Sequence, residues 1–288
     1  MQKLNIEPHL VTNLGDAFYK KLPVGQAAQE LGADLVHYCN DKNGKWAELR
    51  ALNGHKEPFN VKYFQIGNEC WLFDGFRKNE RTPELLNHYT QCVETYACAM
   101  KKADPSIELI IDGAEGLGIE VMKRCGNLIA FNTFHSYSPW GVSEIKKEDK
   151  ILDENEYSPK EVWQGLATTP QIDTLTGLSV INDWVLDNVK TPVAMTEWNT
   201  NCWFQGKAKK ARPENEFLAY GIGAGSYLNA ILRRADKIHL ANQSMLVGTG
   251  WGITGIRVDT TEKTGPPCSP QLWSPDCMPA IAAISLWR

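Results

Sequence analysis

The chain of 288 residues has no apolar run long enough to span a bilayer, no low-complexity tract and no internal repeat. It also lacks a surplus of charge: the formal net charge is −4 and the isoelectric point is near 5.9. Without a basic patch there is no electrostatic footprint for nucleic acid or an anionic membrane, and neither is expected as a partner. Eight cysteines are present at 39, 70, 92, 98, 125, 202, 268 and 277, but no two have C-x-x-C spacing. The six histidines form no cluster with them, so a zinc centre is unlikely on spacing grounds; no metal and no cofactor is expected. The thiols read as buried and free, which points to a reducing compartment, the cytoplasm. The opening residues show no signal-peptide pattern, and they read as the middle of a structural unit rather than its beginning.

What is present is an ordinary globular composition, 43% hydrophobic and 22% charged, in a chain long enough to bury a sizeable core. Ten Trp and nine Tyr are many for this length. Core packing is their plain reading, although aromatic faces also hold sugars. Short β-favouring runs near residues 8, 63, 108, 129, 193 and 238 alternate with helical patterns, the spacing of βα units. Helices are expected over about 25–40, 82–103, 118–125, 171–188 and 214–235. The last is expected despite Gly221, Gly223 and Gly225, which imply close packing or a break. The segments 41–60 and 73–80 read as polar, turn-rich connections, the second loose and mobile. Residues 139–169 read as a long insertion carrying Trp140 and Trp163.

Val61-Lys-Tyr-Phe-Gln-Ile-Gly-Asn-Glu-Cys-Trp71 is the stretch around which the rest is arranged. An apolar strand, interrupted only by Gln65, stops at Gly67 and delivers an amide and a carboxyl group, Asn68 and Glu69, at its C-terminal end. In a parallel α/β barrel that end carries the chemistry. Thr191-Pro-Val-Ala-Met-Thr-Glu197-Trp-Asn reads as a second buried strand ending in a Glu. Leu128-Ile-Ala-Phe-Asn-Thr-Phe reads as a third, ending in His135-Ser-Tyr137. Glu, His/Tyr and Glu at equivalent strand ends are what two-carboxylate glycoside hydrolysis needs.

Ile66-Gly-Asn-Glu69, His135-Ser-Tyr137 and Thr196-Glu-Trp-Asn199 resemble the motifs of retaining glycosidases on the (β/α)8 barrel whose catalytic Glu residues lie on strands four and seven. The match is best with the α-L-arabinofuranosidases of glycoside hydrolase family 51. Pro8 to Asn13, Leu35 to Asn40 and Asn53 to Pro58 extend the resemblance, which runs from about Ile6 to Asp259. It implies an α/β fold, a TIM (β/α)8 barrel. It also implies Glu69 as general acid/base, Glu197 as nucleophile, Asn68 on a sugar hydroxyl, and Tyr137 bonded to Glu197. His135 is a sugar or carboxylate contact or a satisfied core histidine. Trp198 touches sugar or packs under the nucleophile. Asn13 and Gln243 are pocket candidates that read equally well as loop polarity. Trp203 is offset from where the family places an aromatic residue.

The expected activity is removal of arabinofuranosyl groups from plant polysaccharides or oligosaccharides by double displacement. The alternatives are another enzyme of the same clan, a β-xylosidase or endoglucanase, or an inactive copy that at most binds sugar. A carbohydrate is the expected partner, and a homo-oligomer is left open. Counting the first strand as strand three leaves two βα units missing. The barrel then occupies residues 1–250, and 251–288 is the remnant of a C-terminal β-sandwich with an atypical Pro-, Cys- and Trp-rich tail. A barrel lacking two strands has open edges, so the chain is expected to be an incomplete and inactive copy, a frameshift product or gene fragment, or else a short enzyme completed by a partner chain.

Overall fold

Each of the six β-favouring runs forms a strand. In the computed structural model, which describes residues 6–113, 116–141, 144–147, 150–151, 158–168, 191–200, 216–245, 247–248 and 256–257, these are β1 (His9–Thr12), β2 (Tyr63–Ile66), β3 (Glu108–Asp112) and β4 (Ile129–Tyr137). Two-residue strands β5 (Lys146–Lys147) and β6 (Lys150–Ile151) follow, then β7 (Val193–Asn199) and β8 (Ile238–Gln243). The main sheet runs β1-β2-β3-β4-β7-β8. Its first three pairings are parallel, with His9 beside Tyr63, Tyr63 beside Glu108 and Ile111 beside Asn132. Sequence-adjacent parallel strands need helical crossovers, and the helices supply them. The fold is therefore α/β, and its six described strands follow the order of a (β/α)8 barrel.

The described residues form two compact units. One comprises residues 6–134 with 191–194, and the other comprises those from His135 onward apart from 191–194. In the first unit, β1 is followed by α1 (Gly15–Phe18), α2 (Val24–Ala27), a π-helical stretch Ala28–Ala33, α3 (Asp34–Asn40) and α4 (Lys45–Leu52). The segment 24–40 is helical as expected, with a π turn inside it. Ala28, Ala33, Val36 and Cys39 are buried, while Leu31, Leu35 and Tyr38 are only partly covered. α4 lies inside a segment expected to be irregular. Its cause is Arg50, wholly buried, which donates to the carbonyls of Tyr38 at 2.6 Å, Asp41 at 2.7 Å and Lys56 at 3.2 Å. One guanidinium thus satisfies three carbonyls from two chain segments, the end of α3 and Lys56, which polarity alone does not reveal.

α5 (Pro83–Ala103) is the main helix of this unit. Thr82 caps it by accepting the Leu85 N–H at 3.2 Å, with Pro83 in the first turn. Tyr89, Cys92, Val93, Tyr96, Ala97 and Met100 form its buried stripe at helical spacing. They join Phe64, Ile66, Leu109 and Ile111 from the outer faces of β2 and β3 in one core. Residues 73–80, expected to be loose, are pinned instead: Phe73 and Phe76 stack on Phe18 at 4.7 and 5.7 Å between ring centroids. α6 (Leu117–Cys125) precedes β4.

The second unit contains α7 (159–168) within the expected insertion, and α8 (Glu216–Arg233). The glycines do not break α8. A Cβ at Gly223 would lie 2.2 Å from the Leu166 carbonyl oxygen, so the helix packs backbone to backbone against α7 there. Short strands β9 (Val247–Gly248) and β10 (Ile256–Arg257) pair in parallel. The expected helix over 171–188, Trp203, and nearly all of 251–288 lie outside the described residues.

Candidate active site

In the first unit the segment after β2 is bolted from three strands. All four residues of β2 are buried, including Gln65. Its side-chain nitrogen donates to the Gly67 carbonyl at 2.8 Å and to Asn68 Oδ1 at 3.1 Å. From β1, Thr12 Oγ1 donates to the Gln65 carbonyl at 3.2 Å, and its own carbonyl accepts the Gly67 N–H at 3.2 Å. Gly67 has φ of +75°, and a Cβ there would sit 2.6 Å from Cys70 Sγ. The position therefore needs glycine for both conformation and space. Glu69 is left-handed too, at φ 47° and ψ 42°, and is half-buried. From β3, Asp112 Oδ2 accepts the Cys70 N–H at 2.6 Å. Asn68 is exposed with its side-chain oxygen taken by Gln65, which keeps its NH2 as the donor end.

Cys70 directly follows Glu69 but is wholly buried in the core. Burial pushes its thiol well above the ordinary range, and the Asp112 carboxylate adds to the shift. Burial likewise raises the Cys39, Cys92 and Cys125 thiols to about 11. None of these thiols is a nucleophile near neutral pH.

The second unit gathers Glu197, Tyr137 and His135. The Tyr137 hydroxyl donates to Glu197 Oε2 at 2.5 Å and lies 2.6 Å from Ser244 Oγ. A phenol has one proton, so Ser244 donates the second bond and Tyr137 accepts it. His135 Nδ1 lies 3.6 Å from the same Glu197 Oε2, and its Nε2 lies 3.2 Å from Thr196 Oγ1. The His135 side chain is 7% exposed and that of Glu197 31%, so the carboxylate reaches solvent while its neighbour does not. Asn199 donates to the Ser244 carbonyl at 2.7 Å, and the Ser244 N–H to the Trp198 carbonyl at 3.0 Å, which fixes Ser244 behind Tyr137.

Trp198 is buried, with its ring edge-on to Tyr227 at 5.3 Å between centroids. Tyr227 in turn donates to Ser136. Trp140 is 48% exposed and meets the Tyr137 ring edge-on at 5.6 Å. Gln243 is half-buried at the end of β8. Asn13 is exposed, and its side chain is engaged at the start of α1, donating to Asp16 Oδ2 at 3.0 Å and accepting the Asp16 N–H at 3.3 Å. Sequence reading missed Gln65, Asp112 and Ser244. Gln65 left a trace, since a lone amide in an otherwise apolar strand needs a reason. Ser244 left none.

Residues 1–160 match the family model of the alpha-L-arabinofuranosidase 1 domain. The chain is 27% identical over 244 residues to alpha-L-arabinofuranosidase C of Emericella nidulans, covering 83% of this chain and 45% of that protein. Among solved structures it is similar to the GH51 α-L-arabinofuranosidase of Thermotoga petrophila, with 26% identity, a TM-score of 0.58, and coverage of 91% of this chain and 47% of that one. It also shares the fold of the Thermotoga maritima α-L-arabinofuranosidase at 24% identity and a TM-score of 0.60. The chain thus spans about half the length of these relatives. With more than half of its own residues inside the matching family model, the chain belongs to the α-L-arabinofuranosidase domain family.

Proposed function

We propose that this chain carries the catalytic residues of a retaining α-L-arabinofuranosidase. The observation that carries the reading is the held state of Glu197. Its Oε2 accepts a 2.5 Å bond from Tyr137 and lies 3.6 Å from His135 Nδ1. Among the described residues both contacts fall on one oxygen, so Oε1 is the attacking atom. A carboxylate that accepts a phenolic hydrogen bond is stabilised in its ionised form and fixed in direction, as a nucleophile must be.

In the first step Glu197 Oε1 attacks the anomeric carbon as the glycosidic bond breaks, and the Glu69 carboxyl proton passes to the leaving oxygen. In the second step Glu69, now ionised, takes a proton from water, and that water displaces Glu197. Two displacements at one carbon restore the starting configuration. The mechanism requires about 5–5.5 Å between the two carboxyl groups. Asn68 would donate its amide to the sugar 2-hydroxyl, where hydrogen bonding strengthens in the transition state. The half-exposed Trp140 next to Tyr137 supplies an aromatic face for the sugar. The family membership and the names of the relatives support arabinofuranosides as substrate.

The test is hydrolysis of an aryl α-L-arabinofuranoside, followed by proton NMR from the first turnovers. Initial release of the α-anomer is expected. First appearance of the β-anomer would rule out double displacement. Binding of arabino-oligosaccharide without turnover would favour the inactive copy.

A further inference from the structure

Asp112 belongs to none of the sequence motifs, and no step of the proposed hydrolysis uses it. It closes β3, is 3% exposed, and directs Oδ2 at the Cys70 N–H at 2.6 Å. That N–H belongs to the peptide immediately after Glu69. A non-glycine residue in the left-handed region costs about 1–2 kcal/mol, and such strain persists only where the surroundings hold it. The value of ψ at Glu69 sets where the Cys70 N–H points, so the bond to Asp112 and the left-handed Glu69 require each other. Gln65 and Thr12 hold Gly67 and Asn68 on the near side of Glu69. Asp112 is the side chain that holds the far side. A buried charge-assisted bond of this kind is strong enough to offset the strain.

We infer that Asp112 is a positioning residue for the acid/base, fixing the backbone from which the Glu69 carboxyl group reaches the leaving oxygen. The inference rests on the reading of Glu69 given above. A purely structural Asp112 would affect folding and would scale every substrate alike. Losing a positioning Asp112 instead weakens proton delivery, and only poor leaving groups need that proton in the first step.

The experiment compares the purified protein with Asp112→Ala, Asp112→Asn and Glu69→Ala on a series of aryl α-L-arabinofuranosides of rising leaving-group pKa. The Cys70 amide is followed by ¹⁵N NMR and folding by thermal unfolding. For Asp112→Ala we expect kcat/KM to fall about tenfold or more on the poorest leaving groups and little on the best, while kcat on the best also falls because Glu69 is the base of the second step. The Cys70 amide proton should move upfield. Asp112→Asn, whose side-chain oxygen can accept the same bond, should restore most of the rate. Should Asp112→Ala fail to fold, Asp112→Asn still decides, because its weaker neutral acceptor should steepen the leaving-group dependence a few-fold and shift the same amide. Equal losses of kcat/KM on every substrate, or no loss, while Glu69→Ala shows the leaving-group dependence, would overturn the role of Asp112 and leave the proposed function standing. Absence of hydrolysis by the parent protein, or a Glu69→Ala variant with parental rates on poor leaving groups, would sink the function and this inference together.

Discussion

Glu69 and Glu197 are both carboxylates near strand ends, yet the bonds described around them act on different parts of the residue. Glu197 lies within a regular strand, and side chains grip its carboxyl group directly: Tyr137 on Oε2, His135 beside it, Ser244 behind Tyr137. Glu69 lies past the end of its strand, and the grip is on its main chain. Gly67 turns the chain, Gln65 ties the turn to β2, and Asp112 holds the peptide that follows. The difference teaches how two identical functional groups suit different tasks. A nucleophile gains from hydrogen bonds that favour the ionised form. An acid/base must change its protonation state within each cycle, and a fixed backbone places its carboxyl group in either state.

The largest expected effect tests the side-chain-held member of the pair. Glu197→Gly should lower kcat by at least about 10⁴-fold, as loss of a covalent nucleophile does elsewhere. Added azide should restore turnover and yield a glycosyl azide of inverted configuration. A Glu197→Gly protein with ordinary activity would remove the assignment. Next, Tyr137→Phe deletes a charge-assisted hydrogen bond worth about 1.5–3 kcal/mol, so kcat should fall by about 10–100-fold. Ser244→Ala, one bond further away, should cost only a few-fold. A reversed order would mean that Ser244, not Tyr137, fixes the carboxylate.

The main-chain-held member is sharpened by glycines. Gly67→Ala places a Cβ 2.6 Å from Cys70 Sγ at φ +75°. It should cost about 2–4 kcal/mol of stability and also lower kcat of the protein that remains folded. Gly223→Ala, against the Leu166 carbonyl at 2.2 Å, should cost about 1–3 kcal/mol but leave kcat per folded molecule unchanged. Gly225→Ala, with nothing within 4 Å, should gain up to about 1 kcal/mol from helix propensity. Thermal unfolding with active-site titration separates these outcomes.

The smallest effect concerns acid. Burial pulls the Asp104 carboxyl up, but hydrogen bonds from Ser106 and Asn40 and the charge of Lys101 outweigh it, and the net shift is downward. A depressed pKa stabilises the fold above the unfolded value, about 3.9, and that stability is lost as pH falls through the folded value. Melting temperatures between pH 5 and 2.5 should therefore drop less in Asp104→Asn than in the parent. An identical drop would show that Asp104 contributes nothing to acid unfolding.

Much of this was legible in the residues. The six strands were visible because short β-branched and apolar runs bounded by polar turns have few other readings. α5 was legible from Thr82-Pro83, a cap followed by a first-turn proline, and from Asp104-Pro105 at its end. The motif residues Asn68, Glu69, His135, Tyr137 and Glu197 stood at strand ends, where a barrel puts its chemistry. What escaped was long-range. Arg50 reads as one more surface charge until three carbonyls from 38, 41 and 56 converge on it. The π turn at Ala28–Ala33 leaves no mark in the helical pattern, yet along 28–39 it is the small Ala28, Ala33, Val36 and Cys39 that are buried, while Leu31 and Leu35 pack against the core only partly covered. Asp112 pairs with an amide 42 residues away, and no spacing rule brings those two together.

The clasp on Glu69 also bears on the order in which the protein folds. Its bonds come from Thr12, Gln65 and Asp112, so both the span from β1 to β2 and the span from β2 to β3 must close before the segment can take its final shape. Loop closures of this length are entropically slow to assemble, whereas the local bonds of α5 form early. Helix content should thus recover on refolding before Glu69 reaches its left-handed conformation. A partly folded chain can therefore look helical by circular dichroism while still lacking the geometry at Glu69.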